Sequence, residues 1–200
     1  MTAAVTPKGE RRRSALVSAA ADLLREGGFD AVRHRAVARR AGLPLASTTY
    51  YFSSLDDLVI NAVEYTGAQE TAQLKSRLER LSRRRRGVES TAEVIVELLL
   101  GDSPGPQLSE QLISRYERYI ACVRQPWLRD VQRRLRAERT AAVVEALERS
   151  GRMVPLVRRA ALMFAVDGAV VAALVDDGGD VAERAKTALA DVVDVLAPLH

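Results

Sequence analysis

The residues best equipped for chemistry stand close together near the amino end. Arg33-His34-Arg35 sets two guanidiniums around an imidazole. Ten residues on, Leu45-Ala46-Ser47-Thr48-Thr49-Tyr50-Tyr51 brings five hydroxyls in succession. These are not the parts of a covalent mechanism. The sequence has no Walker loop, no nucleophile elbow and no histidine pair at metal-ligand spacing, and its two histidines are His34 and His200. No enzymatic activity, cofactor or metal is expected. What the two runs offer is recognition of a charged polymer. Arg33, His34 and Arg35, with the free backbone N–H groups of a helix start, suit a phosphate. Ser47 and Thr48 suit base edges, Leu45 and Ala46 suit thymine methyls, and Thr49, Tyr50 and Tyr51 suit phosphate oxygens.

For both runs to reach one duplex they must sit on two short helices held at a fixed angle, and the residues between them provide it. The first helix closes on Ala38 and Ala41, small enough for a close crossing. Gly42 supplies a positive-φ turn that other residues resist, and the chain restarts as a helix after Pro44. This is a helix-turn-helix, which places its second helix in the DNA major groove. Leu43, Phe52 and Leu58 are expected to knit the motif to the apolar face of the preceding helix. Arg11, Arg12 and Arg13 are further candidates for the DNA backbone or minor groove.

Charge follows the motif. Residues 1–54 hold nine basic and four acidic side chains, a net +5, whereas the remaining 146 residues hold 21 basic and 22 acidic ones. The whole-chain +4 thus resides on the segment that would face phosphates. Cys122 is the sole cysteine, so no internal disulfide forms and a reducing cytoplasm is the expected compartment. Residues 1–13 are polar, without the apolar core of a signal peptide, and no run is long enough for a membrane span.

Apolar residues recur at helical spacing throughout and strand signals are nearly absent. An all-α fold of about nine helices is expected. Helix 1 spans about Glu10 to Glu26 and stops at Gly27-Gly28; helix 4 runs from Leu55 to Arg83-Arg84-Arg85-Arg86-Gly87, the arginines read as cations favouring that helix's C-terminus. Helix 5 covers about Glu89 to Leu100, the segment Gly101 to Pro106 is a loop, and helix 6 covers about Leu108 to Val123. Helix 7 runs from Pro126 to about Arg149, helix 8 from Pro155 to Asp177-Gly178-Gly179, and helix 9 from Val181 to Leu196. Between Ala160 and Val175 only Asp167 and Gly168 are not apolar, a composition demanding burial on every side. With the stripe Val181, Ala182, Ala185, Ala188, Leu189, Val192, Val193 and Leu196, it suggests half of an intersubunit four-helix bundle.

These residues resemble the TetR family of bacterial transcriptional regulators. The likeness is carried by Ala19-Ala20-Ala21-Asp22-Leu23-Leu24-Arg25-Glu26-Gly27-Gly28-Phe29, by Val37-Ala38-Arg39-Arg40-Ala41-Gly42-Leu43, and by Tyr50-Tyr51-Phe52 with Asp57-Leu58. It covers about the first 60 residues in detail. Arg33, His34, Pro44, Thr49, Tyr51 and Leu55 depart from the commonest family pattern, Leu55 standing where a phosphate-binding lysine is usual. Tyr51 replaces the family's DNA-facing histidine, which implies that Tyr51 faces outward.

The resemblance implies a DNA-binding domain over residues 1–54 and a helical effector-binding and dimerisation domain over residues 55–200. It further implies a homodimer through the two C-terminal helices, a palindromic double-stranded operator and a small-molecule effector. Tyr65, Tyr116, Tyr119, Trp127, Met163 and Phe164 are the aromatic and adaptable residues left to line an effector pocket. Asp167 is either a polar pocket group or paired across the dimer. The expected function is a repressor that an effector releases from its operator. The alternative is an effector-independent helix-turn-helix module that binds DNA or protein and has no functional pocket.

Overall fold

A computed structural model of the chain describes residues 6–101, 105–175 and 180–199. Within them lie nine α-helices: α1 Pro7–Ala31, α2 His34–Arg40, α3 Ala46–Tyr51, α4 Leu55–Arg80, α5 Val88–Leu100, α6 Gly105–Arg124, α7 Arg129–Arg149, α8 Arg159–Val175 and α9 Val181–Leu196. Among the described residues the only β pairing is an isolated bridge between Arg152 and Leu199. The fold is all-α, as the periodicity requires.

The helices form two compact units, Met1–Glu70 with Glu110–Leu135 and Thr71–Ser109 with Arg136–His200. The first is built on Leu16, Ala20 and Leu24 of α1, Val37 of α2, Phe52, and Leu58, Ala62 and Val63 of α4. Thr6 caps α1 by accepting the Gly9 amide at 3.2 Å, and Pro7 occupies the first turn where its missing N–H costs nothing. The expected stop of helix 1 is present as a break inside α1: Gly27 and Gly28 leave the helical region, and one short turn follows to Ala31.

In the second unit α9 packs on α5 and α8 through Ala185, Leu189 and Val193. The buried guanidinium of Arg152, just past the end of α7, donates to Thr91 Oγ1 (3.0 Å), Asp194 (2.6 Å) and the Ala197 carbonyl (2.9 Å), tying the carboxyl end to the start of α5.

The four-arginine run lies past the helix it was expected to end, and Arg86 has a different role from the one expected. Helix α4 ends at Arg80, and residues 81–87 form an extended connector. Arg86 is buried and donates to Ser82 O (3.1 Å) and Arg149 O (3.4 Å), joining the Arg84 amide (2.9 Å) on the last carbonyl of α7. Arg149 reciprocates by donating to Leu78 O and Leu81 O at the end of α4. Arg86 of the connector thus serves the end of α7, and Arg149 of α7 serves carbonyls at the end of α4, where helical partners run out. Burial pushes the Arg86 guanidinium below its ordinary pKa. Of the expected loop, Asp102, Ser103 and Pro104 lie outside the described residues, and α6 already begins at Gly105. Met1 to Val5, the Asp177-Gly178-Gly179 stop and His200 also lie outside them.

Candidate nucleic-acid interface

The turn between α2 and α3 is set by Gly42 at φ +65°. Its N–H bonds Arg39 O at 3.2 Å and the following Leu43 N–H bonds Ala38 O at 3.0 Å, closing the end of α2. A Cβ at position 42 would meet nothing within 4 Å, so the requirement for glycine is purely conformational.

Helix α3 divides its residues sharply. Thr48 is fully buried, and its hydroxyl donates to Leu45 O at 2.8 Å. Tyr51 lies three residues further on the same face and packs half-buried against the core with Phe52 behind it. Tyr50 is the outward residue at 79 % exposure, its ring edge-on to Tyr51 at 4.9 Å. The structure therefore corrects two expectations. Thr48 is withdrawn from the candidate face because it is fully buried, and the outward tyrosine is Tyr50, because Tyr51 falls on the inward face shared with Thr48. Leu45, Ala46 and Thr49 are exposed, Ser47 is half-buried, and Thr49 Oγ1 bonds Ala46 O at 3.2 Å.

Around α2, Arg33 occupies the N-cap position and its exposed side chain folds back to Val32 O and Asp30, both at 3.2 Å. No side chain caps this helix. Arg35 and Arg39 are exposed. His34 is half-buried with a sheltered Nδ1 that has no hydrogen-bond partner. Arg40 is committed elsewhere: it grips Glu26 of α1 with two bonds of 2.9 and 2.6 Å and holds that carboxyl below the usual range. Of the three consecutive arginines in α1, Arg13 turns inward, its guanidinium 5.2 Å from the Phe52 ring centre and hydrogen-bonded to Asn61. Lys8, Arg11 and Arg12, with Ala15 and Leu43, line an open basic groove of about 440 Å³.

A further polar chain, unforeseen from the sequence, fixes the exit from α3. Ser54 Oγ accepts the Asp57 amide (3.0 Å), while Asp57 accepts both the amide and the hydroxyl of Ser53 (2.9 and 3.1 Å). Asn61 then donates to Asp57 and accepts from Arg13. The signal is Ser54-x-x-Asp57, a capping-box spacing directly ahead of an apolar run.

The expected pocket residues divide between the units. Tyr65, Tyr116, Tyr119 and Trp127 belong to the first; the Tyr116 and Tyr119 rings meet edge-on at 5.6 Å. Met163, Phe164 and Asp167 belong to the second, where Met163 is buried core and Phe164 is 61 % exposed beneath the Arg136 guanidinium. Asp167 is paired with Arg139 of α7 in its own chain. Cys122 donates to Arg118 O at 3.1 Å, and burial pushes its thiol pKa up, away from thiolate reactivity. Among the described residues no cluster of three or more His, Cys, Asp or Glu is placed to hold a metal, and no helix is long and apolar enough to cross a membrane.

Comparison with known proteins agrees with this geometry. Residues 16–62 match the family model of bacterial regulatory proteins of the tetR family, and residues 86–195 match the tetracyclin repressor-like C-terminal domain. Among curated proteins none matches the sequence. Of solved structures, the multidrug binding protein EbrR complexed with proflavin is 28% identical, with a TM-score of 0.66 over 90% of this chain and 99% of its own. The protein SCO7518 of Streptomyces coelicolor A3(2), named as a transcriptional regulator, is 24% identical with a TM-score of 0.67, covering 91% of this chain and 98% of its own. A regulator from Saccharomonospora viridis in complex with choline shares the fold at a TM-score of 0.72 and 16% identity, over 94% of this chain and 98% of its own.

Proposed function

This chain belongs to the tetR family of bacterial regulatory proteins, and from that premise we propose that it is a homodimeric repressor released from a palindromic operator by a small-molecule effector. The observation that carries the DNA half of this reading is the outward face of α2 and α3: Tyr50, Leu45, Ala46, Thr49, Arg35 and Arg39 are exposed on a motif whose other side is closed core. Tyr50 and Thr49 serve phosphates, Leu45, Ala46 and Ser47 approach base edges, and Arg33, Arg35 and the Lys8–Arg11–Arg12 groove supply charge to the backbone. Residues 1–54 bind DNA in this reading, while residues 55–200 carry effector binding and dimerisation.

Dimerisation is supported by what α8 and α9 leave uncovered. Phe164, Val171, Val175 and Val195 are 61, 39, 77 and 65 % exposed, hydrocarbon that a second copy would bury. Effector binding is supported by the ligand complexes of the EbrR and Saccharomonospora viridis proteins. A cytoplasmic location follows from this role.

Fluorescence anisotropy with DNA flanking the chain's own gene tests the proposal. Specific binding that weakens steeply between about 50 and 200 mM salt is expected, because phosphate contacts release counterions. Absence of binding to any such fragment at low salt would overturn it. Operator binding that no small molecule alters would leave the effector-independent module instead.

A further inference from the structure

In α6, two arginines compete for one carboxylate. Arg118 is 2 % exposed and donates to Glu70 of α4 at 2.7 Å and to Ser114 Oγ at 3.3 Å. Arg115, whose side chain is 13 % exposed, stands 3.8 Å from the other oxygen of the same Glu70, too far for a hydrogen bond. Among the described residues the Arg115 side chain makes no hydrogen bond, and the buried Nε atoms of both arginines are unpartnered. Unpartnered nitrogens occur at Arg86 and Arg152 too, but Arg86 is met by carbonyl and hydroxyl oxygens, and Arg139 and Arg152 each have a carboxylate, Asp167 and Asp194. Two sheltered guanidiniums and one carboxylate leave a formal surplus of one positive charge where water screens it poorly. A protein gains nothing in stability from a second guanidinium left unsatisfied at such a place.

Helical spacing extends the feature into a strip. Arg115, Arg118, Cys122 and Gln125 follow at intervals of three and four residues and so share one face; the Gln125 amide still bonds Ala121 O at 2.8 Å, keeping it in register. The buried Oε1 of Gln125 also has no partner. Unmet donors lie at one end of the strip and an unmet acceptor at the other, about 15 Å apart along the helix.

We infer that the effector is a small organic anion, a carboxylate or phosphate held by the paired guanidiniums of Arg115 and Arg118 beside Glu70. This rests on the effector-responsive reading above and narrows it to a ligand class. The planar fork of an arginine matches two oxygens of either group, and the surplus charge supplies the attraction. Glu70 is the built-in competitor. It sits on α4, whose first turn is hydrogen-bonded through Asp57 to Ser53 at the end of the helix-turn-helix. An anion that takes Arg118 from Glu70 thus loosens α6 from the helix that leads into the DNA-facing motif.

The test is titration of the full chain at constant ionic strength with sodium benzoate, inorganic phosphate and the neutral isostere benzamide, followed by thermal shift and calorimetry. At least one of the two anions is expected to bind saturably below about 10 mM, with benzamide silent. Arg115→Gln should weaken binding about tenfold or more with helicity by circular dichroism retained, and Arg115→Lys should fall between it and the parent. Glu70→Gln should strengthen binding severalfold, the opposite of what loss of a purely structural ion pair would do. Equal response to benzoate and benzamide, no saturable response to either anion, or an unchanged affinity in Arg115→Gln would overturn the inference. Operator affinity recorded in the same titrations separates the two readings. Anion binding with operator affinity unchanged supports this site and defeats the effector reading. Release by a cationic dye alone supports the effector reading and defeats the anion site.

Discussion

Helix α3 buries Thr48 completely and leaves Tyr50 in solvent, while α8 buries Leu162, Met163 and Val166 and leaves Phe164 and Val175 in solvent. Both are helices with one face committed to a core, yet the faces left outside differ in kind. On α3 the outward residue is an aromatic ring with a hydroxyl, among exposed cations of α2. On α8 and α9 it is hydrocarbon. A polar, cationic surface is stable in water and calls for a partner only if a polyanion is present. An apolar one has an unfavourable free energy in water from the start. In the proposed function the first serves as a recognition surface and the second as an association surface.

Charging the association surface should give the largest effect. Val175→Glu combined with Val195→Glu is expected to convert a dimer into a folded monomer by analytical ultracentrifugation. Operator affinity should fall by about a hundredfold or more, because two half-site contacts no longer act together. A dimer that survives both glutamates would place the interface elsewhere. On the recognition surface the contrast lies within one helix. Tyr50→Ala should weaken operator binding about tenfold with no change in melting temperature. Thr48→Val should do the reverse, costing about 1 kcal/mol of stability through its lost hydrogen bond and leaving DNA affinity within about twofold.

The turn that holds the recognition surface has its own signature. Gly42→Ala should cost about 1–2 kcal/mol in urea unfolding, since a Cβ meets no atom there and only the left-handed backbone resists it. The smallest effect is electrostatic. Arg40 holds the Glu26 carboxyl below its ordinary value, so the pair's stabilisation is present above the unfolded-state pKa and is lost as pH falls through the lower folded value. Glu26→Gln should flatten the acid limb of the stability profile and leave the neutral plateau nearly unchanged, as expected for an exposed pair.

Much of this was legible in residue order. Ala38, Ala41, Gly42 and Pro44 announce the motif because each answers a local steric demand, and α9 begins and ends at Val181 and Leu196 because its stripe and flanks are local too. The tyrosines were not legible in the same way. Tyr50 and Tyr51 are chemically equal neighbours, and only the register of α3 against Phe52 and the α1 core sends one outward. Arg13 illustrates the same limit: within a run of three identical arginines, the position of Phe52 and Asn61 draws that one inward.

The sequence alone determined the all-α class, the position of the helix-turn-helix, the gathering of positive charge on it, and the apolar excess near the carboxyl end. These depend on composition and on spacing within a few residues, where backbone sterics and helical periodicity act directly. Tertiary structure alone decided which identical side chains are spent. Arg40 goes to Glu26, Arg86 to the end of α7, Arg149 to the end of α4, and Arg115 and Arg118 to a single shared Glu70. Their partners lie between 14 and 71 residues away. At such separations pairing is fixed by how helices pack, because local sequence carries no information about which acid or carbonyl will arrive opposite a given guanidinium.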